Sequence, residues 1–327
     1  MKDELMDFCR SLGIEYAGIA HPGPYHELEK IWSKRLAEGH YTGFEEMDIS
    51  KRIDPRLTLE DAQSVIVCLF PYFTGLSAHA NLSKSAFSID YHIIIKKKLE
   101  QIGEFLSSRI DGFKYKAFVD NGPLVDRYMA YLAGLGYYGI NGHIINDKFG
   151  SYVFIGYIIN NHPFSQDQPM DRTCIKCGLC VKSCPGCAIL GNFDINPLRC
   201  RSYITQKKDE LTELEKDILT KHHLIYGCDI CQDVCPHNRK VQHTGIEEFK
   251  DNLKYSIDYD ELREISNREF MRRYRDRAFS WRGKKLLLRN FELIRNAKKD
   301  AAPQNPDGCQ ENMQRLLSQK QSKNRSL

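Results

Sequence analysis

Nine of the 12 cysteines in this 327-residue chain fall within 62 consecutive residues, from Cys174 to Cys235. Residues 174–185 form a C-x2-C-x2-C-x3-C-P run, and residues 228–236 repeat its C-x2-C-x3-C-P end. The first run has the spacing with which bacterial ferredoxins bind [4Fe–4S] clusters through thiolates. The segment therefore predicts one-electron transfer, and thiols grouped in this way are expected as metal ligands in a reducing compartment.

In ferredoxins with two clusters, the fourth cysteine of each run ligates the cluster that the other run mainly holds. This crossed pattern predicts two sets of four ligands, which are Cys174, Cys177, Cys180 and Cys235 for one cluster and Cys184, Cys200, Cys228 and Cys231 for the other. Cys200 supplies the cysteine that the second run lacks. Two four-cysteine zinc sites are the alternative, although zinc needs neither the third cysteine at this spacing nor a proline after each run.

One carboxylate outside this segment could do proton chemistry. Asp120 ends a predicted strand and precedes a Gly-Pro turn, where it can act as a general acid or accept hydrogen bonds from its own turn. Asp90-Tyr91-His92 resembles the start of the D-x-H-x-x-G motif of some corrinoid proteins, but Ile95 replaces the glycine. We therefore interpret His92 as a residue of a helix surface.

The elements that position these residues alternate over the first half of the chain. Hydrophobic periodicity predicts helices over 2–11, 90–110 and 123–133, and strands over 14–20, 64–70, 114–119 and 151–159. A stretch rich in Pro, Asp and Gln follows Asn161 and predicts a linker. We predict an α+β fold with four parts, which are an α/β domain (1–165), a ferredoxin-like double-cluster domain (166–240), a helical basic segment (241–297) and a disordered polar tail (298–327).

Composition excludes several classes of protein. The chain is 42% hydrophobic and 28% charged, with a net charge of +4, which is ordinary for a globular enzyme and too low for a uniformly basic nucleic-acid coat. No apolar run approaches the roughly 20 residues that cross a bilayer, so we predict a cytoplasmic monomer without membrane contact. Basic charge is local: Arg268–Arg295 holds ten Lys or Arg against three acids, with Phe279 and Trp281 interleaved.

Several segments together resemble the epoxyqueuosine reductase family. They are KRIDPRLTLEDAQSVIV (51–67), FVDNGPLVDR (118–127), AGLGYYGIN (133–141), CRSYITQ (200–206), YGCDICQDVCPHN (226–238) and SWRGKKLLLRN (280–290), together with the first cysteine run. The resemblance covers roughly residues 1–296 in unbroken order. It implies an oxidoreductase that uses one cobalamin and two [4Fe–4S] clusters to reduce epoxyqueuosine to queuosine in the anticodon loop of tRNA.

The resemblance also implies roles for individual residues. It assigns the proton donor to Asp120 and the N-terminal domain to cobalamin binding, with contacts from Arg52, Asp120, Ile145, Ile155, Ser202 and Asp229. It favours tRNA contacts at the basic end of the chain, for which the candidates are Gln206, Lys208, Arg282, Lys284 and Lys285. The implied partners are tRNA carrying epoxyqueuosine and a low-potential electron donor of the ferredoxin or flavodoxin type.

Two departures and two rival functions accompany this assignment. Ile140 stands where family members usually have lysine, and the helical-repeat extension that many of them carry at the C-terminus is missing. A plain ferredoxin module would not need the α/β domain. A corrinoid reductase of the reductive-dehalogenase kind would not need the basic end.

Overall fold

The computed structural model describes residues 1–75 and 80–300. Within those ranges the helices are α1 (Lys2–Ser11), α2 (His26–Ala37), α3 (Ile49–Ile53), α4 (Tyr91–Ser107), α5 (Asp126–Leu132), α6 (Leu179–Ser183), α7 (Arg201–Ile204), α8 (Glu213–Thr220), α9 (Ile230–Asp233), α10 (Tyr259–Glu264), α11 (Asn267–Tyr274) and α12 (Lys284–Asp300). The strands are β1 (Tyr16–Ala20), β2 (Ser64–Pro71), β3 (Tyr115–Val119), β4 (Tyr137–Tyr138), β5 (Ile144–Ile145), β6 (Val153–Asn160), β7 (Ile189–Gly191) and β8 (Asp194–Ile195).

Strands β1, β2, β6 and β3 form an antiparallel sheet in that order. Every residue of β2 is buried because helices cover both faces of the sheet. Val65, Val67 and Leu69 pack on one face with α5, and the alternate residues Ile66 and Cys68 pack on the other with α1 and α4. This alternation follows from the two-residue repeat of a strand. The predicted α+β class is confirmed.

Helix α5 begins at Asp126, so the predicted first helical turn at Pro123 is wrong. The backbone N–H of Leu124 donates instead to the hydroxyl of Tyr157, 3.0 Å away, which anchors this segment on β6. Gly122 allows the approach, because a Cβ at this position would lie 2.0 Å from the same hydroxyl. A contact between distant residues has overridden the local preference of proline for a first turn.

A second core joins distant parts of the chain. Leu82 and Phe87 pack with α8, α10, α11 and α12, although they precede the predicted linker by more than 70 residues. The backbone N–H of Lys254 donates to the carbonyl of Phe87 at 2.7 Å. Helix α12 continues to Asp300, so the predicted polar tail starts inside a helix, and its remainder, 301–327, lies outside the described residues. None of the described helices has both the length and the apolar character needed to cross a membrane.

Candidate active site

A cleft of about 980 Å³ lies between the sheet and the cysteine-rich segment. Its volume is at the upper end of the roughly 300–1,000 Å³ typical of small-molecule sites, so it can take a large ligand. Asp120 and Ile155 line it from the sheet side, and Ser202 and Asp229 line it from the other side. The cleft therefore brings together residues separated by more than 100 positions in the sequence.

Asp120 occupies a strained turn at the end of β3. Its φ is +59°, in the left-handed region that aspartate tolerates better than most residues. The hydroxyl of Tyr91 donates to Asp120 Oδ2 at 2.5 Å, and the side chain of Asp120 remains 53% exposed toward the cleft. The carboxylate is thus held by a residue of α4, while the backbone carbonyl of Asp120 accepts the turn's own bond from Gly122.

His92 lies on the surface of α4, as interpreted from the sequence, and this surface borders the cleft. Its Nε2 is 3.7 Å from Asp120 Oδ2, and its Nδ1 is 2.8 Å from Asp90 Oδ1. Asp90 also caps the N-terminus of α4 by accepting from the backbone N–H of His92. The D-x-H spacing could have predicted the contact between Asp90 and His92, because a carboxylate at the N-cap, two residues before a histidine, can orient the imidazole ring.

Replacing His92 with glutamine should remove a pH-dependent contribution to stability. Burial lowers the pKa of His92, but its hydrogen bond to Asp90 and the charges of Asp90 and Asp120 outweigh burial, so the pKa is raised above 6.5. A group whose pKa rises on folding stabilises the fold fully below its unfolded pKa and loses this contribution as the pH rises through the folded pKa. The difference in Tm between wild type and His92→Gln should therefore be largest below the ordinary histidine pKa of 6.5 and shrink as the pH rises above it.

Thermal unfolding followed by circular dichroism across this pH range measures the difference. His26→Gln, on the exposed surface of α2, is the matched control for loss of an imidazole. A Tm difference between wild type and His92→Gln that stays constant or grows with pH would contradict the raised pKa assigned to His92.

The predicted cluster ligands fall into two groups around two cavities. Cys174, Cys177, Cys180 and Cys235 line a small cavity of about 20 Å³ beneath Ile140 and Ile145. Cys184, Cys200, Cys228 and Cys231 line the large cleft. These are the two sets that crossed ligation predicts, and four thiols around each cavity suit the corners of a cubane cluster.

Arg201 is a charged residue of the site that the sequence analysis did not identify. Its side chain is buried, and its guanidinium donates to the backbone carbonyls of Leu219, His222, Leu224 and Gly227. Burial lowers its pKa, while the neighbouring Cys228 opposes that shift. A fixed positive charge therefore lies beside the second thiol set, and its position directly after Cys200 was the only signal in the sequence.

The predicted cobalamin contacts are only partly brought together. Asp120, Ile155, Ser202 and Asp229 line the cleft, and burial raises the pKa of Asp229 to about 6 against the opposing charge of Lys84. Arg52 and Ile145 were also predicted as contacts, and neither of them lines the cleft.

Arg52 is 8% exposed and stacks on the indole of Trp32, with 4.4 Å from its Cζ to the ring centroid. Ile145 belongs to the wall of the small cavity. Both residues are drawn away from the cleft by packing partners that local sequence does not reveal.

The predicted tRNA residues are spread along one rim of the cleft and beyond it. Gln206 and Arg282 line the cleft, and Lys208 and Lys285 are exposed outside it. Lys284 donates to the carbonyls of Arg263 and Ile265 at the end of α10, so its charge serves that helix terminus. Phe279, which is interleaved with the basic residues of this stretch, is fully buried and offers no stacking surface.

Two family models match the chain. Residues 52–121 match the one described as "Epoxyqueuosine reductase QueG, DUF1730", and residues 173–238 match a "4Fe-4S double cluster binding domain". An epoxyqueuosine reductase from Listeria monocytogenes is 35% identical over 310 residues, which cover 92% of this chain and 81% of that protein. The sequence similarity thus spans both the sheet and the cysteine-rich segment.

Solved structures agree with this similarity. A crystal structure of epoxyqueuosine reductase with an epoxyqueuosine-modified tRNA-Tyr stem loop superposes with a TM-score of 0.83 at 32% identity, covering 92% of this chain and 82% of that one. The Bacillus subtilis enzyme, with its catalytic loop swung out of the active site, superposes with a TM-score of 0.82 at 31% identity, covering 92% of this chain and 82% of that one.

Proposed function

The chain belongs to the epoxyqueuosine reductase family, and from this premise we propose that it reduces epoxyqueuosine to queuosine in the anticodon loop of tRNA. The reaction removes the epoxide oxygen as water and leaves an alkene, consuming two electrons and two protons. We further propose that it uses one cobalamin and two [4Fe–4S] clusters. The double-cluster family match supports the second of these cofactors directly.

The observation that carries the proposal is the shared lining of the large cleft. A half-exposed carboxylate, Asp120, and the thiol set of Cys184, Cys200, Cys228 and Cys231 border the same space. A proton source and an electron source thus open onto one cavity, which a reductive removal of oxygen requires. An electron-transfer module alone would have no use for the carboxylate.

The residues of the cleft fit a large cofactor with an apolar body and polar edges. Ile155 and its neighbours in β6 supply an apolar wall, and Ser202 and Asp229 supply polar groups opposite it. We propose these three residues and Asp120 as the direct cobalamin contacts, with Arg52 and Ile145 supporting the walls. When bound, cobalamin supplies a strongly nucleophilic metal centre and the clusters supply electrons one at a time.

Asp120 is proposed as the general acid for the departing oxygen. An alkoxide is strongly basic, so its departure needs a positioned proton donor. Tyr91 keeps its own proton, because burial and the charge of Asp120 raise its pKa well above the usual range, and its hydroxyl orients Asp120 Oδ2. His92, 3.7 Å from the same oxygen, can return a proton to Asp120 after each turnover.

The two thiol sets differ in their access to solvent. Cys177 of the first set is exposed, whereas Cys184 of the second set is buried and faces the cleft. We propose that a low-potential protein donor of the ferredoxin or flavodoxin type would dock at the exposed side of the first thiol set, and that the second set would hold the cluster that supplies electrons to the cleft. The apolar contacts among Ile140, Cys180, Cys184 and Cys231 lie between the two sets.

We propose that tRNA approaches the rim that carries Gln206 and Arg282. Lys208 and Lys285 are exposed and can contact phosphates there, and Lys284 supports this surface by holding the end of α10. The domain limits, the monomeric state and the cytoplasmic location stay predictions. A tRNA substrate and thiolate ligands both favour the cytoplasm.

The proposal is tested by conversion of the modified nucleoside. Anaerobically reconstituted protein should be given cobalamin, a strong low-potential reductant and tRNA that carries epoxyqueuosine. Mass spectrometry of the digested tRNA should then show queuosine in place of epoxyqueuosine. Absence of conversion by protein that holds both kinds of cofactor would overturn the proposed function.

A further inference from the structure

Three aromatic rings from distant segments meet at the rim of the cleft. Phe44 lies in the loop between α2 and α3, Tyr203 lies in α7, and Trp281 precedes α12. The ring centroids of Phe44 and Trp281 are 5.5 Å apart at an interplanar angle of 79°, and those of Phe44 and Tyr203 are 5.3 Å apart. We call Phe44, Tyr203, Trp281 and the adjoining Arg282 the rim cluster.

The guanidinium of Arg282 lies over two rings of this cluster. Its Cζ lies 3.7 Å from the centroid of Trp281 and 4.7 Å from that of Phe44, within the range of cation–π contacts. Its Nε is buried and has no hydrogen-bond partner among the described residues. The cation is thus held against two rings at the mouth of the cleft.

The rim cluster is positioned by polar contacts on both sides. Trp281 Nε1 donates to Gln206 Oε1 at 3.1 Å, and the hydroxyl of Tyr226 donates to the same oxygen at 3.2 Å. The carboxylate of Glu45 accepts from the backbone N–H groups of Thr42 and Phe44 at 3.1 and 3.0 Å. Although burial opposes it, the hydrogen bonds from the Thr42 hydroxyl and from these backbone N–H groups lower the pKa of Glu45, so the loop carrying Phe44 is anchored by a carboxylate.

Trp281 nevertheless keeps 49% of its surface exposed, which is unusual for the largest apolar side chain. An exposed indole beside a guanidinium matches the way in which proteins bind the splayed bases of RNA loops. We infer that the rim cluster stacks a nucleobase that flanks the modified nucleoside in the anticodon loop. This inference rests on the proposed function, because it needs the modified nucleoside in the cleft and its neighbour at the rim.

The test is a double-mutant cycle between protein and RNA. An unmodified anticodon stem-loop and variants with a single abasic nucleotide on either side of the modification site are titrated against wild type and Trp281→Ala, both holding their clusters. Removing the stacked base should weaken wild-type binding by about 5- to 150-fold, from the roughly 1–3 kcal/mol that stacking contributes. Trp281→Ala should bind the intact stem-loop that much more weakly and should not respond to the same abasic site.

Salt dependence separates stacking from charge. Lys285→Glu should lower the slope of log Kd against log salt by about one unit, because it removes a phosphate contact. Trp281→Ala should leave that slope unchanged. Met271→Ala, which truncates a side chain 43% exposed on α11, is the control and should bind like wild type.

Fluorescence gives an independent measurement. The chain has two tryptophans, and Trp32 is only 7% exposed, so RNA should quench emission mainly from Trp281. In the binding titrations, Phe44→Leu should, like Trp281→Ala, no longer respond to the abasic nucleotide. Trp281→Phe should bind the intact stem-loop with most of the wild-type affinity.

If the effects of Trp281→Ala and of an abasic nucleotide on the binding free energy are additive at both flanking positions, the inference is overturned. The rim cluster would then serve only to pack the cleft wall. If coupling is found but the loaded wild type does not convert epoxyqueuosine, the proposed function fails while stacking stands. If conversion proceeds without coupling, only the stacking inference fails.

Discussion

Asp120→Asn should lower the turnover number for epoxyqueuosine reduction by about 10²- to 10⁴-fold, the usual size of a general-acid contribution. The amide has the shape of the carboxyl group and can still accept from the hydroxyl of Tyr91, so the loop should keep its position. It cannot supply a comparably acidic proton to the departing oxygen. The measurement is single-turnover conversion of tRNA-bound epoxyqueuosine, with nucleosides quantified by mass spectrometry.

Substrate binding and cofactor content separate this effect from misfolding. The variant should bind tRNA with wild-type Kd and retain cobalamin and iron, so that only the rate constant falls. Asp61→Asn, which removes a surface carboxylate paired with Lys114, should convert at the wild-type rate. Full activity of Asp120→Asn would show that another group or water protonates the oxygen.

Cys184→Ser should reduce the iron content from about eight to about four per chain, because each cubane holds four irons. Crossed ligation further specifies which thiols lose protection. Cys200, Cys228 and Cys231 should become reactive toward an alkylating reagent, while the thiols of the small cavity stay protected. Ligation within each run would give the opposite result, freeing Cys174, Cys177 and Cys180.

Iron and zinc analysis after anaerobic reconstitution, together with peptide mapping of the alkylated cysteines, measures both effects. Cys9→Ala is the control, since this buried thiol packs with Cys68 between α1 and the sheet and should leave all eight or so irons in place. A wild-type protein with about two zinc ions and negligible iron would instead support the zinc alternative.

Local sequence determined many of the elements and predicted the ligand types. A continuous apolar run before Pro71 placed β2 within one residue of its observed end, and the amphipathic pattern predicted the observed bounds of α1, Lys2–Ser11. The cysteine runs predicted two sets of four thiols, and each set lines its own cavity in the structure. Spacing of two or three residues is a local property, and it can be interpreted without the rest of the fold.

Tertiary structure decided what meets at the cleft. Because Leu124 is bonded to Tyr157 of β6, α5 begins later than predicted. Arg52 lies over the ring of Trp32 and not with the predicted contacts in the cleft. The N-cap of α4 places His92 near Asp120. Phe44 contacts Trp281, which lies more than 230 residues later in the sequence, and no hydrophobic periodicity predicts such a contact. Contacts of this kind depend on how whole elements pack, and each is selected by burial summed over many distant residues, which a local pattern does not contain.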